Sequence, residues 1–322
     1  MRDLFKNKRI VFFGDSITEN GTFCYNIRSY FREIGVKSTV FNRGVGGTRA
    51  VMAKYMMEEE VFPVNPDIVF VSYGVNDIGI WLYDSLKEFT PEIMEKRRLR
   101  DEEHIQSMID VITALKNKGI TPICCTPFAV NELLTEKEDI ETIADNNEKE
   151  DYIGPSFYKR KTFANINEGL KGYAEKMKKI CLEQNVEVID FFDFTYKLSY
   201  AEKGIFIDDG THYTKKGHDF LAKFILEFMG VKESIGEFKT YLDMDEARKT
   251  ERLLRDVMGY RRSTMLPESI WPKTTHEDVV NSLKKNLGNK AYWAWQKVPD
   301  VLENYYKKDE LIKKEIELLT SL

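Results

Sequence analysis

Cysteine and histidine are both scarce in this 322-residue chain, with four of each. The cysteines stand at Cys24, Cys124, Cys125 and Cys181, and no two make a C-x-x-C pair. Cys124 and Cys125 fall inside the apolar run Ile-Cys-Cys-Thr-Pro, so all four read as small buried hydrophobes. A disulfide framework or a cysteine metal site is not expected, and a reducing, cytoplasmic setting is. The histidines are His104, His212, His218 and His276, which leaves a histidine base four places to be. Long apolar runs are missing as well. No stretch approaches the ~20 residues of a membrane span. The apolar segment after Arg9 is too short for a signal-peptide core and lacks a small-residue cleavage site. Positive charge is not in excess: 48 Lys and Arg against 53 Asp and Glu leave a net charge of -5. That speaks against a nucleic-acid partner. The one basic run, Lys96-Arg97-Arg98-Leu99-Arg100, is followed at once by Asp101, Glu102 and Glu103 and reads as a solvated helix face.

What is present is a full globular pattern, with 42% hydrophobic residues and a length ample for a real core. Five short apolar runs read as buried strands, at residues 9–14, 38–41, 67–73, 120–126 and 186–190. Helix-like segments alternate with them at about 24–34, 49–60, 101–118, 162–184 and 214–229. Strands alternating with helices predict a parallel sheet covered on both faces, an α/β fold. Two long polar stretches, 79–100 and 127–160, are expected to be irregular. Both follow strand C-terminal ends, the rim where open α/β sheets bind ligands. A boundary is expected near Gly230–Gly236, dividing residues 1–230 from a helical extension over 231–322. The aromatics Trp271, Trp293 and Trp295 of that extension need burial against the main domain or a partner subunit. It is therefore a cap, a buttress or an oligomer contact, and a homo-oligomer is one expected outcome.

Four short segments carry the chemistry. The first strand ends in Gly14-Asp15-Ser16-Ile17-Thr18. A serine at the mouth of a parallel sheet, near a helix start, is exposed beside unpaired backbone N–H groups, a setting that suits a nucleophile whose attack makes an oxyanion. Asp15 or Ser16 acting only as a helix cap is the plainer alternative. The second strand leads into Asn42-Arg43-Gly44-Val45-Gly46-Gly47-Thr48, where glycines let backbone N–H groups approach a ligand or simply make a tight turn. The third leads into Gly74-Val75-Asn76-Asp77, whose asparagine amide either donates to an oxyanion or serves a turn. The last is Asp208-Asp209-Gly210-Thr211-His212. Three positions separate Asp209 from His212, so one turn can bring the carboxylate to Nδ1 and leave Nε2 as a base. The alternative is an ordinary surface histidine.

In order and spacing these segments resemble the conserved blocks of the SGNH/GDSL hydrolase family, over roughly residues 8–230. The resemblance implies a flavodoxin-like three-layer α/β/α fold with a five-stranded parallel sheet in the order 2-1-3-4-5, here with a C-terminal helical extension. It implies an esterase with Ser16 as nucleophile, Asp209 and His212 completing a triad, and an oxyanion hole from Ser16, Gly47 and Asn76. Gly46 competes with Gly47 for that last role. No metal and no organic cofactor is implied. Asp15, Trp81 and Tyr83 are candidates for the substrate rim, the two rings, which follow Asn76, serving as sugar-stacking surfaces or equally as core. The expected substrate is a small-molecule ester or acylated oligosaccharide bearing short, acetyl-like acyl groups. A lipase or thioesterase type of acylhydrolase is the alternative on the same fold. A non-catalytic carbohydrate-binding protein is the alternative of another class, and the intact set of Ser16, Asn76, Asp209 and His212 argues against it. A nucleotide-binding protein is disfavoured because the first loop has neither G-x-G-x-x-G nor a P-loop lysine.

Overall fold

The computed structural model describes residues 1–83, 90–132, 165–207, 210–241, 244–271, 273, 275, 277–278, 281 and 300–321. Its five strands are β1 (Arg9–Gly14), β2 (Thr39–Gly44), β3 (Ile68–Ser72), β4 (Thr121–Cys125) and β5 (Glu187–Ile189). All pair in parallel, in the order β2-β1-β3-β4-β5. The fold is the α/β architecture expected from the alternating pattern.

The helices among the described residues are α1 (Ser16–Asn20), α2 (Thr22–Glu33), α3 (Ala50–Glu60), α4 (Pro91–Asn117), α5 (Ile166–Glu183), α6 (Phe191–Ala201) and α7 (Lys215–Phe228). Three more follow: α8 (Asp245–Met265), α9 (Val301–Tyr306) and α10 (Lys308–Ser321).

Side chains alternate between the two faces of the sheet, as the strand period requires. Ile10 and Phe12 of β1 join Phe70 of β3 in one apolar layer, under Phe23 and Ile27 of α2 and Leu221 and Ile225 of α7. Val11 and Phe13 join Val69 and Val71 in the other layer, under Met52 of α3 and Met108, Val111 and Leu115 of α4. Each such fully buried side chain stabilises by about 1.5–3 kcal/mol. The four cysteines are free and buried in these layers.

Two elements depart from the sequence reading. Helix α4 starts at Pro91, ten residues before the expected start, so residues 91–100 are helical rather than irregular. Thr90 caps it by accepting from the Ile93 N–H, and proline occupies the first turn, where it is tolerated. Ion pairs Glu92–Lys96, Glu95–Arg98 and Glu102–Arg98 then lace the exposed first turns. Lys96, Arg98 and Leu99 of the basic run are exposed as expected, whereas Arg97 turns inward to donate to the Leu82 carbonyl at 2.6 Å and Arg100 is half-buried. Helix α6 was not expected at all. Its aromatic-rich sequence, Phe-Phe-Asp-Phe-Thr-Tyr, follows β5 after the single polar residue Asp190, which starts the helix by capping the Asp193 N–H.

The C-terminal helices pack on the second layer, not apart from it. Ala247, Leu254 and Met258 of α8 and Ile312 and Leu319 of α10 belong to the same apolar cluster as Val11, Phe13 and Phe41. Helices α8 and α10 both touch the edge strand β2. The link to them is tied down as well: Tyr25 Oη and the Tyr241 backbone exchange hydrogen bonds, and Ser29 donates to the Lys239 carbonyl at 2.5 Å. Trp271 is partly buried on this cluster, with the Arg262 guanidinium 4.8 Å from its ring centre. Trp293 and Trp295 lie outside the described residues.

Candidate active site

Three strand ends and one returning loop meet at the C-terminal edge of the sheet. β1 and β3 are neighbours there, and β2 flanks β1, so Gly14, Gly44 and Ser72 lie in register across the three strands. Ser16 is the first residue of α1 and is half-buried.

Asp15 precedes it as the N-cap, and its carboxylate accepts from the Ile17 N–H at 3.0 Å. The Asp15 side chain is only 2% exposed, so it does not line the substrate rim as expected. Its capping bond turns it inward. Burial pushes its carboxyl up to about 7, against the pull of the Ile17 N–H and of His212.

His212 comes from the far end of the chain. Its loop folds back on itself through a bridge between Phe206 and Tyr213 and through the Ile207 N–H donating to the His212 carbonyl at 2.9 Å. Tyr213 is anchored by its hydroxyl on the Ala129 carbonyl at 3.0 Å, and Thr214 caps α7 immediately afterwards. This framework sets His212 Nε2 2.7 Å from Ser16 Oγ, across 196 positions of sequence. Asp209 lies outside the described residues.

The second-strand loop is fastened to α1. Asn42 accepts from the Gly44 N–H at 2.9 Å and donates to the Thr18 carbonyl at 2.9 Å, while the Val45 N–H donates to the Gly14 carbonyl at 2.9 Å. Gly47 has φ +71°, a backbone region that favours glycine. Gly46 faces the serine: a Cβ there would lie 3.6 Å from Ser16 Cβ.

Asn76 donates through Nδ2 to the Thr48 carbonyl at 3.0 Å, which leaves its second amide hydrogen for another acceptor. Asp77, next to it, accepts from the Ala50 N–H at 2.8 Å and so holds the first turn of α3. The third-strand loop therefore grips the second-strand loop on both sides of Arg49. His104 of α4 stands behind this clasp, Nδ1 3.3 Å from Asp77 Oδ1, stacked on Tyr173 at 4.6 Å. In the sequence His104 sits in a stretch rich in charge, Asp-Glu-Glu-His. Nothing in its neighbours signals that it faces the core at Asp77.

Of the remaining histidines, His218 is 1% exposed and stacks on Phe23. Burial drives its ring down to about 4, which keeps it neutral. His276 lies outside the described residues. Of the two places open to Tyr83, the structure takes the core and not the rim. Tyr83 is 7% exposed, its hydroxyl packs toward Gly169, and Arg97 covers its ring at 3.8 Å. It is a core ring locked between α4 and α5, not a rim surface. The side chain of Trp81 lies outside the described residues. Among those residues no group of three His, Cys, Asp or Glu side chains is placed to hold a metal.

A hydroxyl and an imidazole in hydrogen-bond contact at the C-terminal edge of an open parallel sheet are an arrangement that suits a serine hydrolase on an α/β fold. The chain belongs to the GDSL-like lipase/acylhydrolase family, whose model matches residues 12–220, and it is accordingly a carboxylic ester hydrolase. No curated protein matches it by sequence. Among solved structures, a gut microbial diltiazem-metabolizing enzyme is similar over 99% of this chain and 97% of its own, at 14% identity and TM-score 0.63. A variant of an acetyl xylan esterase from Geobacillus stearothermophilus is similar over 72% of this chain and 98% of its own, at 18% identity and TM-score 0.51. At these identities both report on the fold. The first extends the likeness through the C-terminal helices.

Proposed function

We propose that this protein is a serine esterase acting on short acyl esters, acetyl above all, carried by carbohydrate or similar polar alcohols. The observation that carries the reading is the 2.7 Å contact between His212 Nε2 and Ser16 Oγ, built from residues far apart in sequence and placed at the sheet's ligand-binding edge. In this reading His212 takes the Ser16 proton as Oγ attacks the ester carbonyl, with Asp209 orienting the imidazole and stabilising its protonated form. The tetrahedral oxyanion is met by backbone N–H groups of Ser16 and Gly47 and by the second amide hydrogen of Asn76. The C–O bond to the alcohol then breaks as His212 returns the proton to it. Water repeats the sequence on the acyl-enzyme and releases the acid. The family supports ester hydrolysis. The likeness to an acetyl xylan esterase favours acetyl groups on sugars.

The experiment that tests the assignment compares Ser16→Ala with the parent. The variant should fold normally and lose essentially all turnover of p-nitrophenyl acetate, and an organophosphonate should label Ser16 in the parent alone. Full activity in Ser16→Ala, with another serine labelled, overturns the assignment. Rates that climb steadily from acetyl to octanoyl esters would favour a lipase-like acylhydrolase instead.

A further inference from the structure

Helix α1 carries a second functional group on the face of the nucleophile. Glu19 follows Ser16 by three positions, so the two side chains share one side of the helix, and a helical side chain leans toward the N-terminal end, here toward Ser16. The structure bears this out: a Cβ built on Gly46 would lie 2.6 Å from Glu19 Oε2 and 3.6 Å from Ser16 Cβ. The carboxylate therefore occupies the space beside Gly46 that any larger residue would take, next to the serine. It is only half-buried, and among the described residues it accepts no hydrogen bond and forms no ion pair.

The helix that presents it is held from the C-terminal extension. Arg255 of α8 donates to the Glu19 carbonyl, at the end of α1 where a cation is favoured. Asn42 shares that carbonyl at 3.4 Å. The backbone of α1 is pinned against β2 so closely that a Cβ on Gly44 would lie 2.1 Å from the Glu19 nitrogen. The backbone that carries the carboxylate is thus held in place, and the carboxylate is not consumed by a partner among the described residues.

We infer that Glu19 is a specificity-determining residue that accepts a hydrogen bond from a hydroxyl on the alcohol part of the ester. This rests on the esterase reading above. An ionised carboxylate only accepts, and a hydroxyl beside the ester oxygen only needs to donate, so the pair is complementary. Hydrogen bonds to charged acceptors are the stronger kind. A short acyl group has no donor to offer, which assigns the contact to the alcohol. Esters of polyhydroxylated alcohols are selected, and hydroxyl-free esters of the same size gain nothing from it.

The test uses a methyl monoacetyl-xylopyranoside and cyclohexyl acetate, matched in ring size and differing in hydroxyl groups. Parent, Glu19→Gln and Glu19→Ala are each assayed for kcat and KM on both esters, with thermal melts as a control for folding. The ratio of kcat/KM for the glycoside to that for cyclohexyl acetate should fall roughly 10–100-fold in Glu19→Ala, mainly through KM, and less in Glu19→Gln, which keeps a neutral acceptor. An unchanged ratio overturns the inference, whether both rates fall together or neither does. Ser16-dependent turnover of cyclohexyl acetate reads the esterase assignment separately. Inhibition of that turnover by the free methyl glycoside, weakened in Glu19→Ala, reads the contact without reference to glycoside hydrolysis.

Discussion

In the proposed mechanism Asn76 serves structure and chemistry together. One of its amide hydrogens fastens the second-strand loop through the Thr48 carbonyl, and the proposal gives the other to the oxyanion. Asn76→Ala should lower kcat roughly 10²–10³-fold, the usual loss of an oxyanion donor, with a much smaller change in KM. A variant whose only defect is a lowered melting temperature would assign Asn76 to the loop alone.

His218, six residues beyond His212, makes a prediction of a different kind. It is buried neutral, with its folded value near 4 against 6.5 for a free ring. Between those two pH values the unfolded chain binds the proton and the folded chain does not. Stability from this residue is therefore present above pH 6.5 and is lost as pH falls toward 4, by about 3 kcal/mol in all. Asp15 and Glu60, both pushed up to about 7 by burial, act in the opposite sense: their stability is lost as pH rises toward 7. The whole protein's profile mixes these contributions, so the difference between parent and His218→Leu is the quantity to measure. Urea unfolding at pH 7 and pH 4 should show the parent losing more stability than the variant. Equal losses would mean that the ring is hydrated or already charged in the folded state.

At the level of elements, the site depends on how closely α1 can lie against β2. Gly44 permits this, since a Cβ there would meet the Glu19 nitrogen at 2.1 Å and the Thr18 carbonyl carbon at 2.5 Å, both backbone atoms that cannot swing away. Gly44→Ala should therefore cost at least about 3 kcal/mol or prevent folding, as measured by urea unfolding and soluble yield. Gly236→Ala, which would meet nothing within 4 Å, should leave stability unchanged.

This closeness also explains what the sequence revealed. The five strands and most helices were legible because continuous apolar runs and helical periodicity are local signals. The Ser16–His212 contact was legible because each residue falls in a short, distinctive string, Ser16 at the start of a helix and His212 three residues before one. The early start of α4 was obscured by its polarity, since its first turns are held by ion pairs along the helix and not by an apolar stripe. Asp15 was read as a rim residue, and Tyr83, which follows Asn76, as rim or core. Whether such a side chain turns in or out is decided by one capping bond in the first case and by packing against α5 in the second. Neither leaves a mark in the local sequence.

At the scale of the whole molecule, the least legible feature is the way the C-terminal helices are joined to the sheet. Arg43 lies inside the second motif, between Asn42 and Gly44, and nothing about that string announces its role. Both its side chain and that of Glu315, 272 positions later on α10, are fully buried. The guanidinium binds both carboxylate oxygens, and its Nε donates to the Glu60 carbonyl at 2.7 Å. Arg28 of α2 and Glu251 of α8 make a second such pair nearby. A buried ion pair is weak support for net stability, because desolvation offsets the attraction, but breaking one side leaves a bare charge in the interior. Glu315→Ala should therefore cost about 3–5 kcal/mol, and replacing both partners with Arg43→Met and Glu315→Leu should recover most of that loss.

The same pairs bear on truncation after Gly230. That cut strips the partners from Arg28 and Arg43 and uncovers the apolar layer around Phe41, within a few residues of the loop that carries Gly47. The shortened chain should be insoluble or lack a cooperative unfolding transition, and should hydrolyse p-nitrophenyl acetate poorly if at all. A shortened chain that stays monomeric and folded, with the parent's activity and chain-length preference, would show instead that the hydrolase core stands alone. The buried pairs would then hold the extension to the core without supporting the site.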